Sequence, residues 1–275
     1  PENDLMMVPM PVSETNPSKP SARLARTVAV TSGKGGVGKT FFSANLATAL
    51  SRQGLKVLVL DADLGLANLD VVLNLYPKIT LHDVFTGKAQ LEEAILPAPG
   101  GFHVLLAGSG LVEYSRLTPE VREKLLEIFE AVKPRFDVIL IDTGAGISDV
   151  VLYAVSMAGE VIVVATPEPT SMTDAYATIK VLCAQQSREK MHLVVNQVAR
   201  PGDGRTICQQ LQQVVDRFVV SPTGVVPKLQ FLGDIPFDPS VREAVRKRQL
   251  LLELHPGSPA ALGVNQVAVR LLGRA

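Results

Sequence analysis

The chain has 275 residues, 47% of them hydrophobic and 20% charged, and its 27 basic and 27 acidic side chains cancel. That composition excludes a disordered chain, and the neutral balance removes any general electrostatic attraction to nucleic acid. No apolar run approaches the roughly 20 residues of a membrane span and no signal peptide is visible. Cys183 and Cys208 stand in no C-x-x-C pair, which points away from a metal or disulfide framework and toward a reducing cytoplasm.

Residues 1–25 are rich in Pro, Ser, Asn and Glu and carry no hydrophobic period, so they read as a flexible N-terminal arm. The chain opens on Pro1 rather than Met, and residues upstream of it are expected. From Val28 a strand-then-helix grammar begins. Val28–Thr31, Val57–Leu60, Val138–Ile141, Val161–Ala165 and Leu193–Val195 are short apolar runs of the kind that parallel strands show when both faces are buried. Helical patterns fall between them. Thr40–Gln53 is closed by Gly54, and Thr118 caps a helix that has Pro119 at its first position and runs to about Val132. Thr170–Gln186 and Gly204–Phe218 follow, and the tail from Ser240 reads as two helices split around Pro256–Pro259. The alternation predicts one α/β domain over residues 26–275. Its mostly parallel twisted sheet carries helices on both faces, a three-layer sandwich.

Chemistry-bearing residues cluster where these strands end, as open α/β sheets require. The first strand runs into Gly33-Lys34-Gly35-Gly36-Val37-Gly38-Lys39-Thr40, and a helix follows. This is G-x-x-x-x-G-K-[ST] in its proper strand–loop–helix context. Its glycines let backbone N–H groups turn toward phosphate, its lysine meets the outer phosphates, and its threonine hydroxyl reaches Mg²⁺. A phosphate loop is therefore expected rather than an idle Gly-rich turn. The second strand ends in Asp61-Ala62-Asp63-Leu64-Gly65, where the carboxylates could either cap the next helix or orient water or a hydrated Mg²⁺. Val138–Ile141 ends in Asp142, followed by Thr143-Gly144-Ala145-Gly146. Four apolar residues and an aspartate match a strand whose carboxylate addresses Mg²⁺, and the glycines permit a segment that senses a γ-phosphate.

Lys34 is not demanded by the phosphate-loop pattern. With it, the loop and the stretch Asp61-Ala62-Asp63-Leu64-Gly65-Leu66-Ala67-Asn68-Leu69-Asp70 resemble the deviant Walker A ATPases of the MinD and ParA type, from about Thr27 onward. Asp142-Thr143-Gly144-Ala145-Gly146, Thr166–Tyr176 and Ile235–Val245 resemble the flagellar regulators called FlhG or FleN within that group.

The resemblance implies a P-loop fold and slow hydrolysis of ATP to ADP and phosphate. It also implies that Lys39 and the amides of Gly33, Lys34, Gly35, Gly36, Val37 and Gly38 hold the phosphates. Thr40 binds Mg²⁺, with Asp142 addressing it through water, and Asp63 positions the attacking water beside the metal. Lys34 reaches the nucleotide of a partner subunit in an ATP-dependent homodimer. Glu168 meets the partner's ribose, though it could be a solvated loop charge. Asn196 reads adenine, though it could simply close a turn, and the backbone around Pro236 and Asp238 lines the other side of the base. No arginine stands obviously near the phosphates in the sequence, so the partner's Lys34 is expected to supply the missing positive charge.

The implied role is a molecular switch for flagellar number or placement. The alternatives are a division-site regulator, or an ATP-gated anti-activator in which hydrolysis only resets binding. Implied partners are the flagellar GTPase FlhF, a flagellar transcription activator or a basal-body component, with no nucleic acid. The activating Asp-Gln-Ala-type motif for that GTPase does not occur in residues 1–26, which puts that partner in doubt. The implied location is cytoplasmic, with peripheral contact at the inner face of the cell membrane. Val264, Val267, Ala268, Leu271 and Leu272 share one helical face, read as core in preference to a membrane-binding face. Redox chemistry of the nitrogenase iron-protein kind would need cysteines near Asp142–Val150, and an iron–sulfur scaffold would need a late C-x-x-C. Neither is present. Arg242, Arg246, Lys247 and Arg248 read as a solvated helix face.

Overall fold

A computed structural model describes residues 23–64, 66, 68–108 and 116–274. Most of the N-terminal arm, and Gly65 and Ala67 of the second strand's motif, lie outside the described residues. Eight strands form one sheet: β1 (Arg26–Ser32), β2 (Val57–Ala62), β3 (Ile95–Pro97), β4 (His103–Leu105), β5 (Val138–Ala145), β6 (Glu160–Ala165), β7 (Lys190–Val198) and β8 (Lys228–Pro236). Their order is β3-β4-β2-β5-β1-β6-β7-β8, parallel throughout except for the antiparallel β3–β4 pair at one edge. β1 lies between β5 and β6, so the loop that leaves it emerges at the middle of the sheet.

Strand residues alternate between two cores. Ala29, Leu58, Leu60, Ile139 and Ile141 face one side. Val28, Val30, Val57, Val59, Val138 and Leu140 face the other. This is why the strands read as unbroken apolar runs: each face has its own helical cover, so no polar position is needed. The first face packs α5 (Pro119–Val132), α6 (Asp149–Ser156), α7 (Pro169–Gln186) and α8 (Asp203–Phe218), with the short α3 (Leu81–Phe85) and α4 (Leu91–Ala94) near the edge. The second packs α1 (Lys39–Arg52), α2 (Leu69–Leu73), α9 (Pro239–Lys247), α10 (Leu251–Leu254) and α11 (Pro259–Leu271).

Local chemistry sets the ends of these elements. Thr118 Oγ1 accepts from Val121 N at 3.3 Å, capping α5 with Pro119 in its first turn. Gly54 follows α1 at φ 86°, in the left-handed region open to glycine. α1 is buried over most of its length, and Ser43, Asn45 and Thr48 are buried with its apolar residues. Each returns its side-chain donor to the carbonyl four residues back, which keeps the polar atoms satisfied.

Three strands and several helices exceed the sequence expectation. β3 and β4 are only three residues long, and β8 is an edge strand whose Lys228 and Gln230 are polar and whose Gly233 interrupts it, so none presents an apolar run. The tail holds three helices rather than two. Arg248 adopts a left-handed conformation at φ 52° and its N–H closes on Val245 O, ending α9 before α10 begins. The face of α11 carrying Val264, Val267, Ala268 and Leu271 is buried against β8 and α1, as the core reading requires. Among the described residues no helix is long and apolar enough to cross a membrane.

Candidate nucleotide site

The carboxyl ends of β1, β2 and β5 open into a cleft of about 880 Å³. Residues 34–40 floor it, Asp63, Leu64, Leu66 and Asn68 line the β2 side, and Gly144, Ala145 and Ser148 to Val151 line the β5 side. Backbone geometry keeps the loop open. Gly36 and Gly38 stand at φ 79° and 86°, and a Cβ on Gly38 would lie 2.6 Å from the Asn196 amide. A Cβ on Gly33 would collide with the backbone of Asp174 in α7.

At the base of the cleft one carboxylate gathers three donors. Lys39 Nζ donates to Asp142 Oδ1 at 2.9 Å, Ser43 Oγ to the same oxygen at 3.1 Å, and Thr40 Oγ1 to Asp142 Oδ2 at 2.9 Å. Lys39 Nζ also donates to the Thr143 carbonyl. Lys39 and Asp142 are buried, so this pair lies in a region of low dielectric where charge must be matched. A hydroxyl and a carboxylate oxygen held side by side suit a hard divalent cation that keeps several waters and takes the rest of its oxygens from phosphate. Among the described residues no group of three His, Cys, Asp or Glu could hold a metal ion.

The two aspartates of β2 differ. Asp61 is buried, and burial, with the Asp142 carboxylate adding to it, holds its carboxyl well above the ordinary range. Its Oδ1 accepts from Asp63 N at 3.2 Å. Asp63 faces the cleft and its Oδ1 accepts from Leu66 N at 3.1 Å. Neither caps the next helix, whose N-cap residue is Asn68. A Cβ on Gly144 would stand 3.3 Å from Asp63 Oδ1, so the absence of a side chain there gives that carboxylate room.

Lys34 and Lys39, from one loop, occupy opposite surroundings. Lys39 is 8% exposed, inside, while Lys34 is 40% exposed at the rim. Lys34 Nζ contacts Glu168 Oε2 at 3.3 Å and donates to Thr170 Oγ1 at 3.0 Å.

Asn196 lies near the end of β7, on the far side of the loop. Its amide donates to Val37 O at 2.8 Å and its Oδ1 accepts from Gln197 N at 2.9 Å, so it closes a turn and also braces the loop. A neighbouring cavity of about 530 Å³ joins Gly36, Gly38 and Phe41 to Asn196 and to Pro236, Phe237 and Asp238. The Asp238 carboxylate itself is committed elsewhere. It accepts from Ser240 N at 2.9 Å and Ala260 N at 3.0 Å. Burial would raise its pKa, but these amides outweigh burial and lower it.

The structure thus brings Lys34, Lys39, Thr40, Asp63 and Asp142 to one cleft, and Asn196, Pro236 and Asp238 to the adjoining cavity. Glu168 joins them through Lys34. One expectation is corrected: an arginine does stand at the cleft. Arg116, in the loop between β4 and α5, lines it because β4 runs parallel beside β2. Only the strand order could reveal that. Ser43 was also missed, although it lies one helical turn after Lys39 and the helix period could have found it. Cys183 and Cys208 are both free and buried, on different helices.

Known proteins share this arrangement. A ParA family model, described as "NUBPL iron-transfer P-loop NTPase", matches residues 23–272. The antiactivator FleN of Pseudomonas aeruginosa is 43% identical over 246 residues, covering 90% of this chain and 86% of that protein. The flagellum site-determining protein YlxH of Helicobacter pylori is 34% identical, covering 90% and 82%. The solved structure of the septum site-determining protein MinD of Pyrococcus horikoshii, complexed with Mg-ADP, superposes with a TM-score of 0.72 at 30% identity, covering 90% of this chain and 96% of that one. The chain belongs to the ParA family of P-loop NTPases, as an ATPase of MinD-like fold that uses ATP and Mg²⁺.

Proposed function

We propose that this ATPase is a dimerising switch that regulates flagellar number or placement. Residues 26–275 act as one ATPase unit and residues 1–25 as an arm. The observation that carries the reading is the contrast between the two loop lysines. Lys39 is buried on Asp142, whereas Lys34 stands at the rim on Glu168, in a solvated ion pair of the kind worth only about 0–1 kcal/mol. A lysine so weakly held can leave its own subunit for a partner's nucleotide.

In this reading the loop amides and Lys39 bind the outer phosphates, and Lys39 exchanges the Asp142 carboxylate for phosphate oxygens. Thr40 and Asp142 would hold Mg²⁺, which supplies charge neutralisation on the phosphates when bound. Asp63, facing the cleft with one oxygen still free of the Leu66 amide, orients the attacking water. Asn196, Phe41 and the Pro236–Asp238 backbone enclose the base. Catalysis is positioning and electrostatics, with no covalent intermediate.

The flagellar assignment rests on the likeness to the flagellum site-determining protein YlxH, on the FleN-like resemblance of the sequence, and on Gly144. The division-site alternative rests on the MinD likeness. Candidate partners are a second copy of the chain, the flagellar GTPase FlhF, a flagellar transcription activator or a basal-body component. The protein acts in the cytoplasm. Its α11 does not serve as a membrane-binding helix, because that helix's apolar face is already core. The decisive experiment is light scattering of Lys34→Ala with ATP. The variant is expected to stay monomeric while its own nucleotide affinity remains within about twofold of wild type, since exposed ion pairs contribute little. Normal ATP-dependent dimers would overturn the switch mechanism.

A further inference from the structure

Three described cations line the phosphate cleft: Lys34, Lys39 and Arg116. Lys39 is paired with Asp142 in the interior, and Lys34 rests on Glu168 at the rim in a weak, solvated pair. Arg116 is exposed, and its guanidinium has no hydrogen bond or ion pair with any described residue, although Asp63 and Asp149 line the same cleft. Its backbone is fixed where the chain enters α5. Arg116 O accepts from Thr118 N at 3.0 Å, and Thr118 caps the helix. The residue therefore projects from an anchored loop end at the start of α5. There it lines the cleft together with Asp63, Leu66, Gly144 and Ser148.

We propose that Arg116 is a catalytic residue, supplying in cis the positive charge that binds the γ-phosphoryl group and stabilises the charge developing on it during hydrolysis. The reasoning is electrostatic. A triphosphate brings several negative charges into a cleft whose lysines begin with carboxylate partners, so an unpaired guanidinium is the cation that meets it without first breaking an ion pair. Guanidinium is also always charged, and its planar fork matches phosphate oxygens in two-point contact. Its place beside the β2 and β5 segments, away from the cavity of Asn196 and Pro236, assigns it to the terminal phosphate rather than to the base. ADP lacks the group Arg116 would hold.

This inference rests on the cleft being the triphosphate site, so the experiment separates the two. Purified full-length Arg116→Ala, Arg116→Lys and Lys39→Ala are titrated with ATPγS and with ADP in Mg²⁺, and single-turnover hydrolysis is followed at protein concentrations that saturate dimerisation. Arg116→Ala is expected to lose about tenfold or more in ATPγS affinity, the size of one charge-assisted hydrogen bond, with ADP affinity changed by less than about twofold. Its single-turnover rate should fall further, by roughly a hundredfold or more. Arg116→Lys should recover much of the affinity and little of the rate, because a point charge replaces the fork. Arg116→Ala with wild-type ATPγS affinity and rate would overturn the proposal, and so would equal losses for both nucleotides, the mark of a merely structural role. If Lys39→Ala binds both nucleotides like wild type, the cleft assignment itself falls and this inference falls with it. The exposed, unpartnered side chain gives no reason for Arg116→Ala to unfold, and circular dichroism checks that.

Discussion

At the residue scale the site is defined by how few atoms separate opposite roles. Asp61 is the penultimate residue of β2, whereas Asp63 lies just past the strand's end, where the chain has left the pleat and residues two apart no longer share a face. Asp61 is buried beside Asp142, and Asp63 faces the cleft. A carboxylate that faces the cleft, with Gly144 leaving it room, can take a water and turn it toward phosphate. Asp63→Ala is therefore expected to reduce hydrolysis on the order of a hundredfold, the usual scale for a positioned base or orienting group, while ATP binding survives. Size-exclusion chromatography with ATP should then find a persistent dimer. Unchanged turnover would remove Asp63 from the mechanism. Both aspartates were visible in the sequence as a strand terminus, but the division of labour was not, because it depends on where the strand ends and the chain turns toward the cleft.

At the element scale, the helix starts near the cavity of Asn196 and Pro236 are tied together by one side chain. Asp238 receives Ser240 N at the head of α9 and Ala260 N at the head of α11. Its carboxylate thus acts as a cap for two helices, and only its backbone is left to line the cavity. Asp238→Ala is expected to cost about 1–2 kcal/mol by urea unfolding, the range for a lost helix cap. It should also weaken adenine-nucleotide affinity through the displaced 236–238 segment. A variant as stable as wild type would show that the two amides find other partners. Helices with strong caps, such as α5 after Thr118 and Pro119, were legible in the sequence. α6 was not named. Its Asp149–Ser156 run is apolar and partly β-branched, and periodicity alone does not distinguish such a run from a buried strand. β8 escaped notice for the reverse reason, being an edge strand with polar positions.

At the scale of the whole molecule, the end of the sheet opposite the cleft is locked by charge. Arg26 on β1 makes a two-point pair with Glu160 on β6 at 2.5 and 2.7 Å, and Arg26 also donates to Leu271 O at the end of α11. His192 on β7 contacts the same carboxylate at 2.9 Å. Burial would raise the Glu160 pKa, but Arg26 and His192 outweigh it and lower the value from the ordinary 4.5 to about 2. A carboxylate depressed on folding stabilises the protein above its unfolded pKa, and that stability drains away as pH falls through the folded value. Unfolding free energy should accordingly decline between about pH 4.5 and pH 2. Glu160→Gln should be less stable by about 1–3 kcal/mol at neutral pH and show a shallower decline in acid, by urea titration at a series of pH values. An unaltered slope would mean that other carboxylates carry the acid response.

By itself, the sequence determined the class of fold and the chemistry at the centre of the sheet. Strands buried on both faces must be apolar throughout, a phosphate loop must be rich in glycine, and Asp142 closes a buried apolar run, so each of these leaves a local mark. Tertiary structure decided what depends on neighbours distant in the chain. It decided that Lys34 rests on Glu168, that Asn196 braces Val37, that Asp238 spends its carboxylate on two helix heads, and that Arg116 comes to the phosphate cleft. Those contacts follow from strand order, which places β4 beside β2 and β7 two strands from β1, and no short window of sequence records that order.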